Sequence, residues 1–429
     1  MDNIIVGKHT LESLTAGMYS DAKVIYREYI QNSVDSLDEA IDEGLINGNN
    51  AKIVVEIDDE ASKIMIKDNG LGISSNKAVK KLLDIGNSEK DSDSKIGFRG
   101  IGRLSGLSYC QKLKFITSYK GETEKTIVSF DANKLEELLV PGKYINHDVL
   151  NVLEEVTNSK TRSEDKDKHY FTVVLEEVKN IDNILEYDRI KNYLSQVAPV
   201  PFNLSEFSFG DTIKEKLLTK DISNNEYNIL LSNGEAEEKL YKLNSSKFVS
   251  DIRKKIDDFV KDVKVEFIKN KNGDLIAALW YTESNFYGTM VDRKKKGIRL
   301  RKGNIQIGDR QTLNKMFKED RFNGWFQGEV YALDKNLIPN ARRDDFEKNQ
   351  AYEELLSNLK EIGSKLSKKI RKISKERSKL KKKKDLYKKF DYLNDSIEEA
   401  CDFKVLDLID NLAENEKKVL DKVFNIIDN

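Results

Sequence analysis

The stretch YREYIQNSVDSLDEA, residues 26–40, is the starting point for interpreting this chain. Within the predicted helix 21–43, Glu28, Asn32 and Asp35 are spaced four and three residues apart and share one face. Mg²⁺ prefers oxygen ligands and keeps waters and phosphates in its other positions, so this face suits magnesium chemistry. A solvated polar face is the alternative for the triplet taken alone. Apolar residues recur at helical spacing in the same segment: Val24, Ile25, Tyr29, Ile30, Val34, Leu37 and Ile41.

Two predicted strands follow, KIVVEID (52–58) and KIMIKD (63–68), and the second ends in the motif KDNGLGI, residues 67–73. Gly70 and Gly72 would let the backbone approach a flat ligand, and Asp68 could accept a hydrogen bond from an exocyclic amine. An ordinary turn is the alternative for this motif alone.

A glycine-rich segment, IGNSEKDSDSKIGFRGIGRLSG, occupies residues 85–106. Its GFRGIG run resembles a turn that opens a helix, where backbone amides bind phosphates. Lys90 and Lys95 add positive charge, and a flexible loop is the alternative. The run consists of Gly97, Phe98, Arg99, Gly100, Ile101 and Gly102.

The order and spacing of the three motifs resemble the Bergerat-type ATP site of the GHKL superfamily, which includes gyrase, heat-shock-90 chaperones, histidine kinases and MutL. The resemblance implies that Glu28 is the general base, that Asn32 binds Mg²⁺ with Asp35 supporting the helix, and that Asp68 recognises adenine. It also implies that Gly97 to Gly102 belong to a lid over the phosphates. The family's adenine-site threonine matches Thr172 best, with Thr117 as its rival.

The resemblance extends beyond the nucleotide region. The segments GIRLRKGNIQIGD (297–309) and LIPNARRDDFE (337–347) look like the middle domain of heat-shock-90-like and MORC-like ATPases, which lends a cation to the γ-phosphate. That role would fall to Arg343, aligned with Asn340 and Asp344, or to the adjacent Arg342. A surface ion-pair cluster is the alternative for ARRDD.

We therefore predict an α+β protein. Its parts would be a Bergerat-type α/β sandwich ATPase domain at 1–195, a transducer-like α/β domain at 196–350, and a charged helical region at 351–429. Further strands are expected near 113–119 and 170–178, and the very polar residues 157–169 are expected to form a loop. A second-domain sheet is expected from KVEFI, LIAALWY, GIRLRKG and GEVYAL.

The C-terminal region is divided by charge. Residues 360–390 hold 15 Lys and Arg against three acids, whereas the last 39 residues hold 11 acids against four Lys. Apolar residues every seventh position predict a helical seam. Since basic helices repel one another, we expect this seam to pack on the acidic segment 391–429 rather than on its own copy. The seam consists of Tyr352, Leu359, Leu366, Ile373 and Leu380.

Composition narrows the class of protein. The formal net charge is −1, the two cysteines lie far apart, and there are only three histidines, which argues against zinc or disulfide frameworks. The start, MDNIIVGKHT, does not match a signal peptide, and no stretch approaches 18 apolar residues. We expect a cytoplasmic protein that does not insert in membranes.

Two functional hypotheses remain open. In the first, ATP and Mg²⁺ drive lid closure and homodimerisation through the ATP domain, with slow hydrolysis. The protein would then be a MORC-like or MutL-like clamp on nucleic acid, held by the basic helix 360–390, in the setting of prokaryotic antiviral defence. In the second, the chain is a heat-shock-90-like chaperone or scaffold ATPase acting on a protein partner. Pairing of the basic and acidic segments with each other is a third explanation of the charge pattern.

Overall fold

The computed structural model describes residues 7–14, 21–84, 102–144 and 146–401, with side chains described as far as residue 393. The chain forms two compact units, Met1–Glu361 and Ile362–Asn429. Within the described ranges, no helix combines the length and apolarity needed to cross a membrane.

Eight strands form the first sheet, in the order β5-β4-β3-β6-β2-β1-β7-β8. All neighbours pair antiparallel except β1 and β7, which are parallel. The strands are β1 (Lys52–Asp58), β2 (Lys63–Asp68), β3 (Lys112–Ser118), β4 (Glu124–Asp131), β5 (Thr157–Ser163), β6 (Tyr170–Glu176), β7 (Asn228–Ser232) and β8 (Glu237–Lys239).

The core of this sheet arises from strict alternation. In β1 every second residue is buried, and its partners in β2 and β7, apart from Asp68, continue the same apolar face. Helix α2 (Val24–Asp42) contacts β1 and β2, and its apolar side joins the same core. The remaining helices of the first unit are α1 (His9–Leu14), α3 (Ser75–Leu83), α4 (Ala132–Leu138), α5 (Val149–Val156), α6 (Tyr187–Val197) and α7 (Gly210–Leu218).

The prediction of a loop at 157–169 is wrong for its first half. Residues Thr157–Ser163 form β5, which pairs antiparallel with β4 at the edge of the sheet. An edge strand needs only backbone pairing on one side, so its side chains can stay polar and exposed, as six of these seven are. Polarity alone therefore gave a misleading signal.

A second sheet has the order β11-β12-β15-β13-β14, and a hairpin of two further strands lies before it in sequence. The predicted second-domain strands all fall within it. The expected boundary at 195–196 remains a prediction. Strands β7 and β8 follow it in sequence and belong to the first sheet. The strands are β9 (Lys247–Ser250), β10 (Ile256–Phe259), β11 (Asp262–Lys269), β12 (Leu275–Glu283), β13 (Gly297–Lys302), β14 (Ile305–Ile307) and β15 (Gln327–Ala332).

A buried charge network ties the second sheet to α6 and to the segment after β8. The Glu329 carboxylate on β15 receives Lys242 Nζ at 2.7 Å and Arg301 Nε at 2.5 Å. Trp280 Nε1 and the Tyr331 hydroxyl also donate to it. Arg301 in turn donates to the carbonyl oxygen of Gln196 at 2.7 Å.

The last helix, α8, runs from Gln350 to Cys401 without interruption. The first three residues of the predicted seam, Tyr352, Leu359 and Leu366, are buried, but Leu380 is 61% exposed. No residue from 371 to 392 is buried. The predicted packing partner at 391–429 lies largely outside the described residues.

Candidate functional site

One end of the core face of the first sheet is polar. The face is apolar along the aligned pairs Ile64–Leu175 and Ile66–Val173, and the next pair in this register is Asp68–Phe171. Phe171 pairs with Thr117 of β3, which pairs with Thr126 of β4. Because directly paired residues point to the same side of a sheet, Asp68, Phe171, Thr117 and Thr126 form one row, which is polar at every position except Phe171.

Asp68 is almost fully buried, with 1% of its surface exposed. Its Oδ1 accepts from Gly70 N at 2.9 Å and from Ser36 Oγ at 3.2 Å. Its Oδ2 is buried and has no hydrogen-bond partner among the described residues. Burial raises the pKa of Asp68 to about 7, against the Gly70 backbone, the Ser33 and Ser36 hydroxyls and the Phe171 backbone, which lower it. The carboxyl group thus has one buried acceptor position to spare.

The glycines after Asp68 allow close backbone packing. A Cβ at Gly70 would lie 2.2 Å from Ser36 Oγ on α2. Gly72 has φ +71°, and a Cβ there would lie 2.0 Å from the carbonyl oxygen of Ser118 on β3. Both positions exclude a side chain, so the loop is held tightly between the helix and the sheet.

The register distinguishes the two threonine candidates. Thr117 lies on the Asp68 face, and its Oγ1 accepts from Ile73 N at 2.7 Å. Thr172 pairs with Lys67 and Ile116 and therefore lies on the opposite face. The geometry favours Thr117 as the threonine of this site.

Thr126 is a buried polar residue of the same row that the sequence analysis did not single out. It is 2% exposed, and its Oγ1 has no hydrogen-bond partner within the described part of the chain. The signal was present in the alternation of Thr126, Val128 and Phe130 in β4, all of which are buried. When the residue at one end of a series of alternate buried residues in a strand is polar, the apolar core ends at that residue.

The predicted acidic face of α2 is mostly buried rather than solvated. Glu28 is 5% exposed and Asp35 3% exposed, while Asn32 between them is half-buried. A buried carboxylate requires compensation by a cation or by hydrogen bonds. For Glu28 the compensating positive charge comes from a segment distant in sequence.

Arg343, in the ARRDD motif, supplies the positive charge next to Glu28. Arg343 Nε lies 3.2 Å from Glu28 Oε1, and the Arg343 side chain is itself buried. Arg343 has φ +54°, a left-handed conformation that a non-glycine residue adopts only where its surroundings hold it. Arg342 is exposed. The structure thus brings one of the two predicted arginines to the predicted base.

Arg27, which sequence reasoning also missed, holds this segment in place. Its Nη2 donates to the carbonyl oxygen of Arg342 at 3.0 Å, and its Nη1 to that of Arg343 at 3.4 Å. Arg27 Nη2 also lies 3.6 Å from Glu28 Oε1. Two adjacent residues of α2 therefore contact the backbone and the side chain of one loop. No local pattern could have revealed a contact across more than 300 residues.

The chain returns from the glycine-rich segment directly against α2. Gly102 begins a short 3-10 helix, Gly102–Ser108, and a Cβ there would lie 2.5 Å from Glu28 Oε2. The Tyr29 hydroxyl donates to the Arg103 carbonyl at 3.1 Å and accepts from Gly106 N at 3.0 Å. The other predicted lid residues lie outside the described residues: Lys90, Lys95, Gly97, Phe98, Arg99, Gly100 and Ile101.

These groups fit the predicted nucleotide and metal. The acceptor that Asp68 leaves without a partner among the described residues suits an amine at the polar edge of a base that would otherwise meet only apolar side chains. Asn32 has an amide oxygen for Mg²⁺ one turn from Glu28. Glu28 and Arg343 provide a carboxylate for a water molecule and a cation for developing negative charge.

Comparison with known proteins identifies the same region. Residues 19–161 match the family model described as "Histidine kinase-, DNA gyrase B-, and HSP90-like ATPase". Among curated proteins, the chain is similar to the "Chaperone protein HtpG" of Streptomyces coelicolor, with 27% identity over 142 residues. It is also similar to the proteins of that name from Rickettsia typhi, with 28% identity over 154 residues, and Rickettsia canadensis, with 29% over 212 residues.

The similarity to these relatives is partial. The matches cover 28%, 32% and 45% of this chain and 22%, 24% and 30% of the three relatives, in the same order. The matched part of the chain thus spans less than a third of the length of each of these relatives.

Proposed function

We propose, from the premise that residues 19–161 form a domain of the histidine kinase-, DNA gyrase B- and HSP90-like ATPase family, that this chain binds Mg-ATP and hydrolyses it slowly. The proposal concerns the whole chain, whereas the family match covers its first part. Slow turnover would let the bound nucleotide act as a switch between two conformations.

The observation that carries the proposal is the contact between Glu28 and Arg343. These residues belong to different motifs, 315 positions apart, and their buried side chains approach to 3.2 Å. Glu28 would act as the general base toward a water molecule. Arg343 would stabilise the charge that develops on the γ-phosphate, with Arg342 as the alternative. Arg343 is paired with Glu28 in this structure and neutralises its charge. For catalysis, the Arg343 side chain would have to leave Glu28 and contact the γ-phosphate.

The binding roles follow from the polar row and α2. Asp68 would accept from the exocyclic amine of adenine through Oδ2, with Thr117 two strands away on the same face of the sheet. Asn32 would bind Mg²⁺, and Asp35 would support the helix. Mg²⁺ would supply charge neutralisation at the phosphates. Gly70, Gly72 and the lid segment from Lys90 to Gly102 would complete the site.

For the whole chain we favour a nucleotide-gated clamp on nucleic acid, comparable to MORC and MutL proteins and suited to prokaryotic defence. The support is the middle of α8. Residues 371–389 hold 11 Lys and Arg against two acids, and none of them is buried. At 1.5 Å per residue this segment extends about 28 Å, enough to follow several phosphates of a duplex. Dimerisation would occur through the ATP domain and strengthen with nucleotide, which sedimentation with a non-hydrolysable analogue can test.

A chaperone or scaffold ATPase is the second candidate, with a protein as the partner. It is favoured by the curated relatives, which carry the name "Chaperone protein HtpG". Binding of an unfolded protein in an ATP-dependent manner, without any affinity for nucleic acid, would select this candidate over the clamp.

The central experiment separates binding from hydrolysis. Glu28→Ala should keep ATP affinity but lower the hydrolysis rate by about 10²–10⁴-fold, as expected for loss of a general base. Asp42→Ala, an exposed carboxylate on the same helix, is the matched control. Arg343→Ala should slow hydrolysis more than Arg342→Ala, because Arg343, unlike the exposed Arg342, contacts the base. Hydrolysis at the wild-type rate in Glu28→Ala would refute the proposed base.

A further inference from the structure

A second cluster of cations lies on the second sheet, far in sequence from α8. It comprises Arg293, Lys294, Lys295 and Lys296, which precede β13, together with Arg310, which follows β14. These five residues are called the basic loop below. All five have exposed or half-buried side chains. The two acids beside them in sequence are Asp292 and Asp309.

Packing brings Arg310 to the other four. A Cβ at Gly297, the residue after Lys296, would lie 3.2 Å from the carbonyl oxygen of Arg310. Asn323 Nδ2 donates to the same carbonyl at 3.0 Å, and Asn323 Oδ1 accepts from Ile298 N at 2.7 Å. Asn323 thus links the start of β13 to Arg310. Burial, followed by the nearby charges of Arg310 and Arg293, lowers the pKa of Lys296.

The loop is anchored from within. Arg299 Nη2 donates to the carbonyl oxygen of Lys294 at 2.5 Å and to Gln196 Oε1 at 3.3 Å. The Arg299 side chain is buried on the face that also carries the Glu329 network. The cations of the basic loop are therefore presented by a fixed backbone, which reduces the entropy that a ligand would have to overcome.

The adjacent acids already have structural roles. Asp292 Oδ1 accepts from Lys294 N at 2.8 Å. Asp309 Oδ1 accepts from Gln311 N at 2.7 Å and from Thr312 N at 3.1 Å. Among the described residues, none of the five cations forms an ion pair with a carboxylate. Like charges held together without counterions cost free energy, which an anionic partner offsets.

We propose that the basic loop binds the phosphate backbone of nucleic acid and forms a second contact in addition to the basic segment of α8. Exposed lysines suit the sequence-independent contact with many phosphates. The same chemistry recurs independently at residues 371–389, which favours the same class of ligand, a polyanion, for both segments. This inference rests on the clamp that we propose for the whole chain. It does not depend on ATP hydrolysis.

The test uses the full chain and a fluorescein-labelled DNA duplex of about 30 bp, titrated between about 50 and 200 mM NaCl. The Lys294→Ala, Lys295→Ala double variant should bind more weakly. The slope of log affinity against log salt concentration is negative, and its magnitude should fall by about 2 in this variant, close to one for each phosphate contact removed. The control is the Lys269→Ala, Lys271→Ala double variant, which removes the same charge from exposed positions of the same domain. ATP hydrolysis without DNA reports whether each variant is folded.

The outcomes separate the inference from the clamp. A loop variant that matches the control in slope, while the wild type binds DNA, overturns the inference and leaves the clamp standing. A wild-type chain with no salt-dependent affinity for DNA overturns both the inference and the clamp. The proposed role of Glu28 in ATP hydrolysis is tested separately. Equal competition by polyglutamate at matched charge would also overturn the assignment to nucleic acid. A reduced slope in the loop variant alone supports it.

Discussion

Two buried carboxylates, Asp68 in the first sheet and Glu329 in the second, have the same chemistry and opposite surroundings. Asp68 and Glu329 are 1% and 2% exposed. Burial raises the pKa of Asp68 to about 7, because Gly70, Ser33, Ser36 and Phe171 lower it by less than burial raises it. Burial also acts on Glu329, but Arg301 and Lys242 outweigh it and lower the pKa of Glu329 to about 2.

The difference lies in acceptor capacity. Glu329 receives donors from Lys242, Arg301, Trp280 and Tyr331, whereas Asp68 leaves Oδ2 without a partner in the described chain. A buried oxygen without a donor costs free energy that a ligand can recover. A saturated carboxylate offers nothing to a ligand and serves to join segments. Acceptor saturation, rather than burial or charge alone, thus separates a binding group from a structural one.

The largest effect should come from breaking the saturated site. Glu329→Gln leaves two cations buried without their counterion, and we expect the free energy of unfolding to fall by about 3–5 kcal/mol. Denaturant titration measures it. The folded-state pKa of Glu329 lies below its usual 4.5, so this stabilisation is present above about pH 4.5 and is lost as the pH falls toward 2.

A matched control makes this test specific. Glu237→Gln removes one partner of the exposed pair with Lys52, 3.4 Å apart, and should cost less than about 1 kcal/mol. If the two variants lose the same stability, the buried network does not act as a structural joint, and the contrast with Asp68 disappears.

The sequence was sufficient where the physics is local. Periodicity predicted α2 to within three residues at its start and one at its end, and alternation predicted β1 and β2 at their observed bounds. It was insufficient where structure depends on distant partners. The parallel pairing of β7 with β1 has no signature in the sequence of either strand. Strand β5 forms because its backbone pairs with the free edge of β4.

The candidate site shows the same division. Glu28, Asn32 and Asp35 could be placed on one face from their spacing, since a helix fixes the geometry. The choice between Arg342 and Arg343 required the three-dimensional structure, because loop sequence does not determine the directions in which two adjacent side chains point. Thr117 could have been preferred over Thr172 only with the strand register, which is set by long-range pairing.

The smaller effect should come from the unsaturated carboxylate. Asp68→Asn should weaken ATP binding by about 5- to 150-fold, the range expected when a buried hydrogen bond is replaced by a mismatch of about 1–3 kcal/mol. Isothermal titration calorimetry measures this, with GTP as a comparison ligand whose ring carries no amine at the corresponding position. Unchanged ATP affinity would remove Asp68 from the site.

The pH dependence sharpens this last prediction. Because the folded pKa of Asp68 is raised from 3.8 to about 7, its contribution to stability is fully present below about pH 4 and is lost as the pH rises through 7. A ligand amine prefers the ionised carboxylate, so ATP should bind about tenfold more tightly at pH 8 than at pH 6 as this group loses its proton. ATP titrates in the same range, so the relevant quantity is the ratio of wild-type to Asp68→Asn affinity, in which that contribution cancels. A ratio that is constant from pH 6 to 8 would mean that Asp68 is already ionised in the free protein. In that case the pH dependence of ATP binding would not distinguish the carboxylate of Asp68 from that of Glu329, whose acceptor positions are already occupied.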